Sequence, residues 1–214
     1  MKIKRVILMA AAFAVLSCKS GNGSDVVAES DQQQSITNEV IETIMSRRSI
    51  RAYKSEPVSR DTVNVILQCG INAPNAMNRQ SWEVRVMDSK TEIDAVTRAF
   101  VAKNPEMGKT PGFVNMFRNA PTVVFVARDT TSAMSAIDCG LLGENIMLSA
   151  WSLGIGSCCL GGPVRFINSP DGEFFLNRLR LSPGYELTFA IALGYPDESP
   201  KARPRDNSKI KFVD

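Results

Sequence analysis

The sequence predicts an α+β fold in which helices flank a mostly antiparallel sheet within one domain. Residues 121–127 and 186–195 are continuous apolar runs of strand length, and we expect the first to be central. Residues 133–153 carry apolar side chains over a length that predicts one long buried helix. The chain has 214 residues, of which 44% are hydrophobic and 22% are charged, and this is enough for one domain with a substantial core.

The first half of the chain predicts helices and one strand. Residues 36–46 place apolar side chains at helical spacing, and Ser59 is a suitable N-cap for a second helix. Residues 82–86 alternate apolar and charged side chains, which predicts a half-buried strand. Ser89 and Glu92 match the capping box of a third helix.

The second half adds shorter elements to the two buried strands and the long helix. Residues 103–119 are predicted to be irregular. Residues 154–163, GIGSCCLGGP, predict a short strand that ends in a tight glycine turn, and residues 174–179 predict a short helix. The whole chain is therefore expected to contain about four strands and five helices.

Composition and motifs exclude several kinds of function. The net charge of +3 gives no indication of nucleic-acid binding. The chain has no histidine, which excludes Ser-His-Asp and Cys-His catalytic sites and argues against a metal site. There is no P-loop, and Cys159 stands where a dinucleotide fingerprint would have its third glycine.

The N-terminus resembles a bacterial lipoprotein signal peptide. Basic residues precede an eleven-residue apolar run, 6–16, which is too short to span a bilayer, and a small residue precedes Cys18. We expect residues 1–17 to be removed and Cys18 to be lipidated, which anchors the protein in the cell envelope on the periplasmic side. Residues 18–34 would form a flexible tether, and 35–214 the folded domain. An ordinary secretory signal that is cut elsewhere is the alternative.

Four further cysteines follow Cys18, and their spacing does not require a disulfide even in an oxidising compartment. Cys158 and Cys159 are adjacent within an apolar run. Buried small hydrophobic residues are the favoured interpretation, and a redox pair is the alternative.

Two polar segments are candidates for a binding site. Residues 72–84, NAPNAMNRQSWEV, are rich in amides, which donate and accept hydrogen bonds without charge. Arg47 and Arg51 are four residues apart at the end of the first helix, with Ser49 between them. Such arginines suit a phosphate, although a solvated basic helix end is the alternative.

Four segments, in order, resemble the FMN-dependent nitroreductase family. They are RRSIR, APNAMNRQSW, SLGIGSCCLGGP and LGYP followed by PRDNSKI. The resemblance extends over nearly all of residues 38–212, and its most specific part is the amide-rich loop. It implies a homodimer of α/β sandwich subunits with two FMN sites at the dimer interface.

The resemblance also implies which residues contact FMN. Arg47, Arg48, Ser49 and Arg51 would contact the phosphate and the N1/O2 edge, and Arg205, with Arg203, would complete the phosphate site. The loop residues that would reach the same flavin from the other subunit are Pro74, Asn75, Ala76, Met77 and Asn78, with Gln80 holding the loop. Gly161 would offer its N–H near N5, with Gly162 beside it. No catalytic side chain is implied, because the flavin performs the redox chemistry.

The activity implied by the resemblance is a ping-pong oxidoreductase. NAD(P)H would be the donor, and a nitroaromatic, a quinone or a similar acceptor would be reduced. A membrane-anchored flavin-binding or electron-carrier protein without NAD(P)H oxidase activity is the alternative. Dehalogenation and flavin breakdown are sister activities on the same scaffold. Residues 103–119 are expected to cover the substrate pocket.

Overall fold

A four-stranded antiparallel sheet organises residues 36–213, the part of the chain that the computed structural model describes. The strands are β1 (Trp82–Met87), β2 (Thr122–Asp129), β3 (Gly156–Leu160) and β4 (Tyr185–Gly194). Their spatial order is β1-β2-β4-β3, and all three neighbouring pairs are antiparallel. The α+β prediction is confirmed, and both continuous apolar runs form the central strands, where they are covered on both faces.

Seven α-helices occur within residues 36–213. They are α1 (Glu39–Ser46), α2 (Arg60–Ile71), α3 (Lys90–Lys103), α4 (Pro105–Gly108), α5 (Ser135–Ser152), α6 (Gly162–Ile167) and α7 (Glu173–Arg178). Short 3-10 turns occur at Ala76–Asn78, Pro170–Gly172 and Asn207–Lys209. The count exceeds the predicted five because α4 and α6 are too short to show a helical repeat in the sequence.

Helices cover both faces of the sheet. Successive residues of a strand point to opposite faces, so the apolar run of β2 supplies both sides. Val124 and Val126 pack in a core with α2 and α5, whereas Val123 and Phe125 pack in a second core with α3, α6 and α7. This arrangement explains why β2 is apolar without alternation.

The long helix α5 is confirmed, but it is buried on one side only. Leu142, Ile146 and Ala150 are buried against the sheet and α2. Leu141 is 41% exposed and Ile137 is 56% exposed. The apolar composition of α5 thus produces an apolar outer surface as well as a core-facing one.

Two local predictions at helix starts are wrong. Ser89 precedes α3, but its side chain makes no capping hydrogen bond, so the capping box does not form. By contrast, Ser59 accepts a hydrogen bond from the N–H of Thr62 at the start of α2. The prediction of a tight glycine turn after β3 is also wrong. Gly161 has an ordinary φ of −92°, and α6 begins at the next residue.

The four cysteines among the described residues are unpaired. Cys158 is buried, as predicted, but Cys159 is exposed, because neighbouring side chains on β3 point to opposite faces. This alternation also turns the two thiols away from each other.

The predicted signal peptide, Cys18 and the tether, residues 1–34, lie outside the described residues. Within the described part of the chain, every helix is either too short or too polar to cross a membrane.

We predict that Gly156→Ala destabilises the domain, because it crowds the contact between β3 and the arginine-rich segment. A β-carbon at Gly156 would lie 2.8 Å from Cγ1 and 2.9 Å from Cβ of the buried Ile50. Over-packing of this kind costs about 1–3 kcal/mol in the free energy of unfolding, measured by chemical denaturation.

The matched control is Gly140→Ala on α5, where the added β-carbon would have no neighbour within 4 Å. We expect it to stabilise the helix by about 0.5–1 kcal/mol. Equal effects of the two substitutions would contradict the packing argument.

Candidate functional site

The arginine-rich segment 47–51 lies beside the edge strand β3. The N–H of Ile50 donates to the carbonyl of Ser157 at 2.9 Å, and Ser49 forms a parallel bridge with the same residue. Ile50 is buried directly over Gly156, where any side chain would displace it. The main chain between the predicted arginines is therefore fixed to the sheet.

The three arginines of this segment have different partners. Arg47 forms an ion pair with Glu144 of α5, with 3.5 Å between Nε and Oε1. Arg48 turns back and donates to the carbonyls of Met45 and Arg47, each at 2.8 Å, so it caps the end of α1. Among the described residues, the guanidinium of Arg51 donates only to the nearby carbonyl of Ser49, at 3.1 Å.

A carboxylate from the C-terminal segment holds Arg51 in place. Glu198 accepts a hydrogen bond from the main-chain N–H of Arg51 rather than from its guanidinium. The contact joins residues that are 147 positions apart. Glu198 thus positions the arginine while leaving its guanidinium free of a carboxylate partner among residues 36–213.

The amide-rich loop is anchored on the first turn of α5. The N–H of Ala76 donates to Oδ1 of the buried Asp138 at 3.1 Å. Within the loop, the side chain of Asn75 accepts a hydrogen bond from the N–H of Gln80 at 2.9 Å. Gln80 holds the loop through its main chain, and Pro74 precedes the anchored residues.

Three non-glycine residues of this loop have left-handed backbone conformations. The φ angles are 53° for Met77, 52° for Asn78 and 51° for Gln80. Residues with β-carbons adopt this conformation at an energetic cost, and such strain is concentrated at functional sites. Because Met77 and Asn78 are also exposed, packing against other described residues does not explain their conformation.

Gly161 and Gly162 have open space beside them. A β-carbon built on either residue would meet no atom within 4 Å. Neither residue has a positive φ, so neither is glycine for conformational reasons. The arrangement leaves the main chain accessible to a ligand from outside.

A cavity of about 420 Å³ connects Arg51 with these two glycines. Phe100, Met107, Phe113, Asn115, Met116, Arg118, Cys158, Cys159, Leu160 and Pro163 complete its lining. No residue of the loop 74–78 belongs to this lining. The fold of the chain therefore brings Arg51, Gly161 and Gly162 together, but it does not add the amide-rich loop to them.

Arg203 and Arg205 lie in the exposed C-terminal segment. Within the part of the chain that the structure describes, Arg205 donates only to carbonyls of its own segment, those of Arg203 at 3.2 Å and Pro204 at 3.4 Å. Both guanidinium groups lack a carboxylate partner within residues 36–213. The same segment contacts the site through Glu198.

Burial and positive charge act in opposite directions on the pKa values of Cys158, which lines the cavity, and of Tyr53, which lies outside its lining. Burial raises the pKa of Cys158, and the guanidinium groups of Arg51 and Arg118 oppose that rise. Burial also raises the pKa of Tyr53 well above its usual value, and the Tyr53 hydroxyl donates to the carbonyl of Ile50 at 2.6 Å. Both groups therefore stay neutral at pH 7 and do not cancel the charge of the arginines.

Sequence reasoning missed the acidic residues that position the site. Asp138 could have been noticed as one charged residue on the apolar side of a long helix. Glu144 and Glu198 carry no local signal, because each acts on a residue that is distant along the chain.

The arrangement suits a flat ligand with a polar edge and an anionic group. Guanidinium groups can bind a phosphate, amides can bind a mixed donor and acceptor edge, and the open glycines allow close approach. These are the features that FMN requires, so the residues present fit that cofactor. Among the described residues, no three His, Cys, Asp or Glu side chains form a group that could hold a metal.

Comparisons with known proteins identify the family. The model of the nitroreductase family matches residues 44–195. The NADPH-flavin oxidoreductase of Vibrio harveyi is 29% identical over 175 residues, which cover 78% of this chain and 70% of that protein.

Solved structures agree with this match. A nitroreductase with bound FMN from Bacteroides fragilis has a TM-score of 0.74 and 28% identity, covering 83% of this chain and 100% of that one. An FMN-bound nitroreductase from Desulfitobacterium hafniense gives the same TM-score and identity, with 84% and 100% covered. The chain therefore belongs to the nitroreductase family and is an oxidoreductase of that family.

Proposed function

We propose that the protein binds FMN and uses NAD(P)H to reduce nitroaromatic, quinone or similar acceptors. Its family membership and the FMN in the two solved relatives support the cofactor. The NADPH-flavin oxidoreductase from Vibrio harveyi supports the nicotinamide donor. Donor and acceptor would use the same cavity in turn, as a ping-pong scheme requires.

The observation that carries this proposal is the cavity between Arg51 and the two open glycines. When bound there, FMN supplies the two-electron redox chemistry. Arg51 would stabilise the negative charge of the reduced cofactor, and the main-chain N–H of Gly161 would donate to its ring edge. Arg47, Ser49 and Arg205, with Arg203, would hold the phosphate.

We further propose that the site is completed in a homodimer. The loop 74–78 is absent from the cavity lining of its own subunit, and its strained residues are exposed. Apolar side chains are exposed on α1 and α5 and at the C-terminus, including Ile137, Leu141 and Phe212. In the proposed dimer these surfaces form the interface, and the loop of one subunit lies beside the arginines of its partner.

The first test of the function is an absorption spectrum of the purified protein under anaerobic conditions. We expect a flavin spectrum that bleaches when NADH or NADPH is added and recovers when a nitroaromatic or a quinone is added. This result follows if the donor reduces the bound cofactor directly.

Each other outcome has a definite meaning. A flavin spectrum that stays oxidised with both nucleotides would favour the carrier alternative. Absence of flavin after reconstitution with FMN would refute the cofactor assignment.

We predict that Arg205→Ala weakens FMN binding by about 1.5–3 kcal/mol, the range for a hydrogen bond to a charged group. Asn78→Gly should weaken it by about 0.5–1.5 kcal/mol, because it removes a neutral amide without adding backbone strain. The measurement is the FMN dissociation constant, obtained from flavin fluorescence.

Mixing the two variants tests the dimer and the site together. If the loop and the arginines of one site come from different subunits, each mixed dimer contains one intact site and one doubly altered site. Random exchange of equal amounts makes about half of the dimers mixed, so about a quarter of all sites should bind FMN tightly. Recovery of no tight sites would contradict a shared site. Arg98→Ala, at an exposed position of α3, is the matched control and should leave FMN binding unchanged.

We propose in addition that the mature protein is anchored by lipid at Cys18, in the cell envelope and facing the periplasm. The apolar run 6–16 and the cysteine after Ser17 support this proposal. Residues 18–34 would tether the domain to the membrane.

We expect Cys18→Ser to move the protein from the membrane fraction to the soluble fraction while it keeps its flavin, because the acyl chains supply the attachment. Cys69→Ser, at an exposed cysteine of the described domain, is the control and should leave the protein on the membrane. A Cys18→Ser protein that stays membrane-bound would refute the lipid anchor.

A further inference from the structure

Arg118 brings a second positive charge to the cavity that contains Arg51, Gly161 and Gly162. Its guanidinium makes no ion pair and no hydrogen bond with any residue from 36 to 213. No acidic side chain of this part of the chain lines the cavity. The positive charge at this position is therefore not neutralised within the subunit.

The main chain on both sides of Arg118 is held firmly. The side chain of the buried Asn115 accepts hydrogen bonds from the N–H groups of Phe117, at 2.9 Å, and Asn119, at 2.7 Å. Phe117 is fully buried and packs edge-to-face on Phe125 of β2, with ring centroids 5.9 Å apart. Arg118 thus projects from a turn that is fixed to the core on one side and by Asn115 on the other.

This turn has an unusual backbone conformation. The φ angles of Arg118 and Asn119 are 60° and 63°. Asparagine tolerates the left-handed region, but a long side chain such as arginine adopts it at a cost. Strain of this kind persists where the surrounding structure enforces it, and it is concentrated at ligand-binding positions.

The rest of the cavity wall is apolar and adaptable. Phe100, Phe113, Met107 and Met116 belong to its lining, together with Leu160 and Pro163. Aromatic and methionine side chains offer polarisable surface to a flat ring.

We propose that this cavity selects acceptors that carry a carboxylate on an aromatic ring, with Arg118 as the residue that binds the carboxylate. The proposal rests on the proposed function, since the ring would lie in the cavity next to the flavin. A guanidinium binds a carboxylate through two parallel N–H donors, which orients a planar substrate as well as attracting it. The apolar wall provides contact for the ring, and Arg118 provides the selectivity.

Binding without turnover is the first test. Flavin-loaded protein is titrated calorimetrically with benzoate and with benzamide, its neutral isostere. We expect benzoate to bind more tightly, and Arg118→Gln to weaken benzoate by roughly 10- to 100-fold with little effect on benzamide, as for loss of a charge-assisted hydrogen bond. Arg118→Lys should retain part of the preference, because it keeps the charge and loses the planar fork.

Turnover is the second test, with 4-nitrobenzoate and 4-nitrobenzamide as acceptors. The balanced reaction is NAD(P)H + H⁺ + Ar–NO₂ → NAD(P)⁺ + Ar–NO + H₂O, in which the donor loses two electrons and the nitro group gains them. We expect Arg118→Gln to lower kcat/KM for the carboxylate by roughly 10- to 100-fold and to leave the amide nearly unchanged. Arg98→Gln, at an exposed arginine outside the cavity lining, should change neither.

Failure of this inference differs from failure of the proposed function. If the wild-type protein reduces neither acceptor, the proposed function fails and the inference fails with it. If both acceptors are reduced and Arg118→Gln affects them equally, only the inference is overturned. The inference is also overturned if the Arg118→Gln protein loses FMN, because Arg118 would then bind the phosphate of the cofactor. It is overturned as well if the substitution raises KM for NADPH but not for NADH, because Arg118 would then bind the extra phosphate of the donor.

Discussion

Ile50 packs directly over Gly156, and this contact determines where the arginine-rich segment lies. Because β3 has no side chain at that position, the segment can approach closely enough for its main chain to hydrogen bond to Ser157. Arg47 and Arg51 follow from that placement, one beside α5 and the other at the cavity. The position of the cavity and its positive charge thus depend on the close packing of the main chain of residues 47–51 against β3 at the edge of the sheet.

The acidic residues around the site position the arginine-rich segment and the amide-rich loop without fully neutralising the arginines. Glu198 binds the main-chain N–H of Arg51, and Asp138 binds that of Ala76. In both cases the carboxylate is used on the backbone, so the neighbouring guanidinium and amide side chains remain available. Glu144 is different, because it forms a direct ion pair with Arg47 and offsets part of that charge.

The sheet and the long helix could be predicted because their signals are local and long. Apolar runs identified β2, β4 and α5, whereas the binding residues were predicted from the family resemblance alone. The roles of Asp138 and Glu198 could not be predicted, since they act on residues 62 and 147 positions away. The position of Arg118 could not be predicted either. It depends on a turn that Asn115 stabilises, within a segment that was expected to be irregular. Whether the predicted residues contact FMN stays a prediction.

The left-handed residues of the amide-rich loop have a consequence for the evolution of this site. Met77 and Gln80 occupy conformations that glycine would adopt more readily, so glycine there would relieve backbone strain. A loop with glycine at these positions would have less backbone strain, but it would also be less rigid before the cofactor binds. It would therefore lose more conformational entropy on binding. Selection for folding stability and selection for cofactor affinity therefore favour different residues at the same positions, and engineering for thermal tolerance would have to spare this loop.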